Sequence, residues 1–258
     1  MRDANAVEPA MDGQRPAVEL EHVSKAFGDE EVLKDVSLKV AAGKAFCLLG
    51  RSGVGKSVTL KVMVGLIQPD EGKILIQGKE IHHSDRDRLA EVRRQIGFLF
   101  QNAALFDSIT VGENVAFPLR RHTKKSDDEI RSIVEEKLKE VELENEGEKM
   151  PSELSGGMLK RAGLARALAL DPSILLIDEP SAGLDAITAA EIYELLLQLK
   201  KKRHVTAVVV THDVRGARKF ADEFGVLDEG RIVACGTAET LAKSDSQLVR
   251  DLIAGSET

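Results

Sequence analysis

The segment Gly50-Arg51-Ser52-Gly53-Val54-Gly55-Lys56-Ser57 constrains this chain more than any other, because it satisfies the pattern G-x-x-x-x-G-K-[ST]. Gly50, Gly53 and Gly55 let the backbone turn so that successive N–H groups face phosphate oxygens. Lys56 brings a point charge to the β- and γ-phosphates, and Ser57 offers a hydroxyl to Mg²⁺. The pattern requires a strand before it and a helix after it. AFCLL, 45–49, is a continuous apolar run that suits a buried strand, and a helix is expected from Lys56 to about Leu66. The helix start adds the positive end of its dipole to the anion site. Arg51, Ser52, Val54 and Val58 complete the candidate nucleotide-binding segment.

A second feature answers to the first. Asp178 and Glu179 follow Ile174-Leu175-Leu176-Ile177, and a carboxylate at the C-terminal end of a buried strand stands where ligands bind in α/β sheets. Asp178 is the candidate Mg²⁺ partner, directly or through water. Glu179 is the candidate base that orients and deprotonates an attacking water.

The rest of the chain supplies strands alternating with helices. Strands are expected over 18–40, 73–81, 173–178 and in VTAVVVTH, with a terminal hairpin around Glu229-Gly230. Residues from about 110 to 170 read as helical: Ser126 with Glu129 makes a capping box, and Ile130, Ile133, Val134, Leu138 and Val141 keep the helical period. This pattern implies a parallel sheet with crossovers and a helical insertion beside it. With 3% aromatic residues, no Trp and only Tyr193, the core must be aliphatic. Cys47 and Cys235 are far apart and unaccompanied by His or Cys clusters, which argues against a metal site or a disulfide. The formal charge of −7 disfavours a grip on nucleic acid. The longest apolar runs fall far below the roughly 20 residues of a membrane span, and the opening MRDANAVEPAMDGQRPA lacks the apolar block of a signal peptide. Any membrane role is therefore expected to come through a partner.

Leu154-Ser155-Gly156-Gly157-Met158 resembles the LSGGQ signature of ATP-binding-cassette proteins, with Met158 where Gln is usual, and it stands just before the Asp178-Glu179 strand as that family requires. The resemblance implies a P-loop NTPase with a RecA-like parallel-sheet core, an N-terminal antiparallel β subdomain and a helical insertion subdomain at about 102–170. The cassette would span 18–245, between a flexible N-terminal tail (1–17) and a C-terminal tail (246–258). It implies ATP and Mg²⁺ as cofactors and a head-to-tail pair of chains, in which Ser155, Gly156 and Gly157 cap the γ-phosphate held by the partner. Gln101, after IGFLF, is similar to the Q-loop glutamine that senses Mg²⁺ and the attacking water. Asp185 resembles the D-loop aspartate, His212 the switch histidine at the γ-phosphate, and Phe27 the aromatic that stacks on adenine. Lys56, Gln101, Glu179 and His212 would then be the catalytic set, with Ser57, Gln101 and Asp178 around the metal. Arg161, Arg166 and the run Lys200–Arg203 read most simply as solvated helix faces. The segment after about residue 240 is read as a simple terminal helix pair rather than a contact with a second copy.

The stretch FQNAALFDSITVGENVAFPLR, 100–120, together with Met158, resembles the ATPases of bacterial Mla-type lipid-transport systems that work with Mce-domain proteins. That implies an MlaE-like permease, an Mce-domain substrate-binding protein, a small regulatory subunit, a phospholipid cargo, and a peripheral place on the cytoplasmic face of the inner membrane. An amino-acid-type importer ATPase and a force-transmitting cell-division cassette remain alternatives.

Overall fold

The computed structural model describes residues 15–81 and 86–255. Residues 1–14 of the expected N-terminal tail, His82 and His83, and residues 256–258 lie outside the described residues.

Three short strands form the centre: β3 (Ala45–Leu49), β7 (Ile174–Asp178) and β8 (Thr206–Val210) are buried at every position. Successive side chains of a strand point to opposite faces, and both faces are covered. Ala45, Cys47 and Leu49 enter one hydrophobic cluster, whereas Phe46 and Leu48 enter the other. Two covered faces explain why these strands are continuous apolar runs instead of alternating ones. With β6 (Ile96–Leu99), β9 (Glu223–Asp228) and β10 (Arg231–Gly236) they make a six-stranded sheet in the order β10-β9-β3-β8-β7-β6. All its pairings are parallel except β9–β10. That last pair is the expected hairpin, and its turn residues Glu229 and Gly230 both have positive φ, as a two-residue turn of matching twist demands.

A second, antiparallel sheet has the order β2-β1-β4-β5, from β1 (Pro16–Phe27), β2 (Glu30–Ala41), β4 (Glu71–Ile76) and β5 (Lys79–Glu80). The single strand expected over 73–81 is split, because Gln77 and Gly78 both turn into the left-handed region. Helix α1 (Lys56–Met63) packs between the sheets, with Leu60, Val62 and Met63 in the same cluster as Val18, Leu20 and Ile74. It ends short of Leu66 because Gly65 adopts φ +68, which closes the last turn.

Helix α2 (Arg86–Arg94) precedes β6. The helical layer on the other face holds α3 (Val111–His122), α4 (Asp127–Glu140), a 3-10 turn (Pro151–Glu153) and α5 (Gly156–Leu168). Both α3 and α4 open with reciprocal capping boxes, Thr110 with Glu113 and Ser126 with Glu129. Helix α6 (Ala186–Arg203) and α7 (Val214–Phe220) follow β7 and β8, and α8 (Ala238–Leu241) and α9 (Gln247–Ala254) close the chain. Although 246–258 reads as a tail, Val249 and Ile253 of α9, spaced i,i+4, are buried in the main cluster.

Candidate active site

Parallel strands deliver their C-terminal ends to one edge of the sheet, and that edge gathers the candidate residues. The glycine loop leaves β3, Asp178 and Glu179 end β7, His212 stands two residues beyond β8, and Gln101 two beyond β6. Three of the loop's glycines do different work. A Cβ on Gly50 would lie 2.4 Å from the carbonyl oxygen of Leu227, so the loop can lie against β9 only without one. Gly55, the cap of α1, has φ +105 and sits against Leu33 and Val32. Gly53 has φ +83 and open space around it.

Lys56 is nearly buried, and its ammonium donates to the carbonyls of Gly50 and Arg51, both at 2.9 Å. Burial holds its pKa below the ordinary lysine value, opposed by the charges of Glu179 and Asp178. Ser57 Oγ donates to Asp178 Oδ1 at 2.8 Å. Burial pushes the Asp178 carboxyl upward, the Ser57 hydrogen bond acts against this, and Glu179 adds to it. A hydroxyl and a carboxylate side by side form the hard-oxygen pair that Mg²⁺ uses when phosphates and waters complete its shell. No cluster of three or more His, Cys, Asp or Glu residues suited to a metal occurs among the described residues. The donor set therefore suits a metal that arrives with phosphates, not an all-protein cage.

Glu179 is the hub of the edge. Its carboxylate lies 3.9 Å from Lys56 Nζ and 2.9 Å from His212 Nδ1, and it also accepts from the His212 backbone N–H at 3.3 Å. Its own N–H donates to Val210 O at 2.9 Å, and its backbone is left-handed at φ 46. His212 leaves most of its ring in solvent. Tyr193 is fully buried, and its hydroxyl meets Thr211 Oγ1 at 3.1 Å, immediately before His212.

The other predicted residues range from the surface to the edge of the core. Phe27 is half exposed at the end of β1, with Lys25 Nζ 5.5 Å from its ring centroid, so it is not a core residue. The side chain of Gln101 is exposed. Ser155 caps α5, accepting from Met158 N at 3.3 Å. A Cβ on Gly157 would meet Thr188 Cγ2 at 2.5 Å, so only glycine lets α5 start against the first turn of α6. Asp185 caps that turn through Ile187 N and Thr188 N, and its carboxyl is held below the usual range by the Thr188 hydroxyl. Met158 is half-buried and packs on the main cluster. Arg51, Ser52 and Gly53 are exposed, while Val54 and Val58 pack on the inter-sheet cluster.

Of the basic residues read as solvated faces, Lys201 and Lys202 are exposed as expected, while Arg161, Arg166, Lys200 and Arg203 are corrected. Arg166 donates to the carbonyls of Ala103 and Ala104, both at 2.6 Å. Arg161 is largely buried between Glu142 and Glu191. Lys200 pairs with Asp222 at 2.7 Å, and Arg203 joins Asp171 to Glu140, both at 2.6 Å. Only the tertiary fold supplies these partners, 19 to 63 residues away. Lys160 was also missed, since a lysine inside a helix announces nothing. Asn114 was missed likewise: completely buried, its Oδ1 accepts from Phe106 N and its Nδ2 donates to the carbonyls of Phe106, Ile109 and Thr110. It thereby fixes the loop beside a cavity of about 290 Å³ lined by Phe106, Ser108, Ile109, Glu113, Phe117 and Arg120. The rings of Phe106 and Phe117 meet in a tilted pair, their centroids 4.9 Å apart and their planes at 52°.

A glycine loop between a buried strand and a helix, with an acidic pair at the end of another strand of the same sheet, defines a P-loop ATPase. The ABC transporter family matches residues 33–182. A probable ribonucleotide transport ATP-binding protein, mkl, of Mycobacterium leprae (strain TN) is 45% identical over 95% of this chain and 71% of its own length. The intermembrane phospholipid transport system ATP-binding protein MlaF of Escherichia coli (strain K12) is 41% identical over 92% of this chain and 88% of its own. A dimeric ATP-binding cassette solved in a post-hydrolysis state with ADP and phosphate superposes with TM-score 0.79, at 37% identity over 85% of this chain and 98% of that one. The chain belongs to the ABC transporter family, as an ATP-binding and ATP-hydrolysing subunit. No helix among its described residues is long and apolar enough to cross a membrane.

Proposed function

We propose that the chain hydrolyses Mg-ATP in a head-to-tail dimer, at the cytoplasmic face of a bacterial inner membrane, and thereby drives a permease that moves phospholipid between membranes. The observation that carries the hydrolytic part is the environment of Glu179, which touches His212 and stands beside Lys56 and Asp178.

In this reading Lys56 leaves the carbonyls of Gly50 and Arg51 for the β- and γ-phosphates, so one set of hydrogen bonds replaces another inside a prepared cradle. Phe27 stacks on the adenine. Ser57 and Asp178 hold Mg²⁺, which supplies positive charge to the phosphates, and Gln101 reaches toward the same centre. Glu179 takes a proton from the attacking water. His212 orients that carboxylate through Nδ1 and turns its exposed face to the γ-phosphate. Positioning and electrostatics supply most of the catalysis in phosphoryl transfer. Ser155 and Gly156 stand exposed at the opening of α5, with Gly157 buried behind them, and that helix N-terminus can cap the γ-phosphate of a second copy. Asp185 holds the adjoining turn against that copy.

The exposed aromatic groove of Phe106 and Phe117 suits a helix from an MlaE-like permease, with an Mce-domain protein and a small regulatory subunit completing the assembly. The phospholipid reading is supported by the MlaF relatives and by the Mla-like wording of 100–120 and Met158. The mycobacterial relative's name offers ribonucleotide as the competing cargo. Recovering the tagged chain from native membranes and identifying its partners and bound molecules by mass spectrometry tests the assignment. An MlaE-like permease with phospholipid is the expected result. A different permease, or one that binds ribonucleotides, would overturn the cargo and leave the ATPase chemistry standing.

A further inference from the structure

We infer that Lys160 is a positioning residue for hydrolysis: one buried ammonium holds the backbone carbonyls of both Gln101 and Glu179, and so ties helix α5 to the base and to the Gln101 loop at once. The inference rests on the reading of Glu179 as the base.

Lys160 is 6% exposed, although lysine is almost never buried without partners. Its Nζ donates to Glu179 O at 3.1 Å and, in a shorter contact, to Gln101 O. Burial pulls its pKa down and the charges of Glu179 and Asp178 hold it up. Glu179 needs such a clamp, because a residue with a side chain at φ 46 must be held there by its surroundings. Its N–H is fixed by Val210, its carboxylate meets His212, and its carbonyl accepts both from Ala182 N at 3.2 Å and from Lys160, the one side chain that reaches it from α5.

The same face of α5 carries two more contacts at intervals of three residues. A Cβ on Gly163 would come within 2.9 Å of both Ala103 Cβ and Leu99 Cδ1, so α5 approaches the loop closely only at a glycine. Arg166 then takes the carbonyls of Ala103 and Ala104, two consecutive residues at positive φ. Lys160, Gly163 and Arg166 thus dock α5 along the whole of 101–104. Helix α5 begins at Ser155, the end proposed to meet the second copy's nucleotide. A shift of α5 on closure would reach Gln101 and Glu179 through Lys160, linking each chain's signature to its own base.

The test compares Lys160→Met, Lys160→Arg and Glu179→Gln in the full chain, alone and in the complex recovered from membranes. Lys160→Met should lower kcat about tenfold or more while KM for ATP moves less than about twofold, the mark of an interaction used in the transition state. Lys160→Arg, which keeps a cationic donor, should recover most of that loss. Amide exchange at 101–104 and 179–182 should accelerate in Lys160→Met and not in Lys160→Arg. Wild-type kcat in Lys160→Met would overturn the inference, and so would a loss that only tracks the folded fraction with exchange unaltered. If Lys160→Met fails to fold, Lys160→Gln, whose shorter neutral donor reaches at most one of the two carbonyls, takes its place, with a smaller fall in kcat and faster exchange at one or both of 101–104 and 179–182 expected, and wild-type kcat with unaltered exchange overturning the inference. Full turnover in Glu179→Gln would instead overturn the assignment of the base. An inactive Glu179→Gln beside a fully active Lys160→Met would sink the inference about Lys160 alone.

Discussion

The nucleotide edge of the sheet and the aromatic groove of the helical layer, the two surfaces proposed to take a ligand and a partner, are held in different ways. At the edge the polar groups satisfy one another: Lys56 on its own loop's carbonyls, Ser57 on Asp178, His212 on Glu179. A ligand there must exchange hydrogen bonds, which favours a charged group that fits the cradle. In the groove Phe106 and Phe117 are 45% and 48% exposed and pair with each other, above an Asn114 with no exposed surface. A partner there gains by burying apolar area, on a support that does not need to move. Under the proposed function the edge would select by charge and geometry, and the groove by shape and apolar surface.

The largest effect expected of that contrast falls at the edge. Glu179→Gln keeps the size of the side chain and removes the proposed base, so turnover should fall by roughly 100- to 10,000-fold, the contribution typical of a general base. ATP should still bind, and the variant should accumulate as a dimer by light scattering in ATP. Turnover near wild type would break the distinction, because the edge would then be a binding surface only.

The groove should respond in the opposite sense. Phe106→Ser combined with Phe117→Ser removes its apolar lining, and recovery of the chain with native membranes should fall about tenfold or more, as expected when aromatic anchors are lost. Hydrolysis by the purified chain should fall much less than that recovery. An equal fall in both would mean that the two regions are not separable.

A smaller, structural effect is expected beneath the groove. Asn114→Ala strips partners from the N–H and C=O of Phe106 in a part-buried setting and should cost about 1–2 kcal/mol of stability, the lower part of the range for polar groups left unpaired. Denaturant unfolding measures it. A cost under about 0.5 kcal/mol, the level of an ordinary surface change, would show that the loop holds itself.

How much of this could be read in advance divides along the same line. The edge was legible because its chemistry is written in short local words. Gly50–Ser57, the Asp178-Glu179 pair after four apolar residues, and Ser155-Gly156-Gly157 each sit within a few residues of a strand end or helix start. The central strands were legible because two covered faces confine polar residues to their ends, as at Thr206 and Asp178. What could not be read was whatever depends on pairs distant in sequence: Lys160 with Glu179, Arg166 with Ala103, Arg203 with Glu140. A cation inside a helix looks solvated until the fold supplies its carbonyl or carboxylate. Asn114 is hidden for another reason, since its partners are backbone groups only four to eight residues back and nothing in the letters marks a loop that needs tying. The break at Gln77-Gly78 and the packing of α9 belong to the same class, being settled by what lies beneath them.

The smallest effect is expected where α4 and α6 meet, away from both surfaces. Burial of Glu140 works against its ionisation, but Lys202 and Arg203 outweigh that, and its carboxyl lies below the ordinary range. Burial opposes ionisation of Asp171 too, and Lys137 and Arg203 overcome it. For a carboxylate depressed in the folded state, the stabilisation is full above the unfolded pKa and disappears as pH falls through the folded one. The melting temperature should therefore decline on acidification from about pH 4, the usual carboxylate value, downward. Arg203→Gln removes the group shared by both carboxylates, so it should lower the melting temperature slightly at neutral pH and make this acid decline shallower. Parallel declines in the variant and the wild type would show that the acid sensitivity arises elsewhere, with the buried Asp178 excluded on sign: its raised pKa makes the folded chain more stable, not less, as the solution becomes acidic.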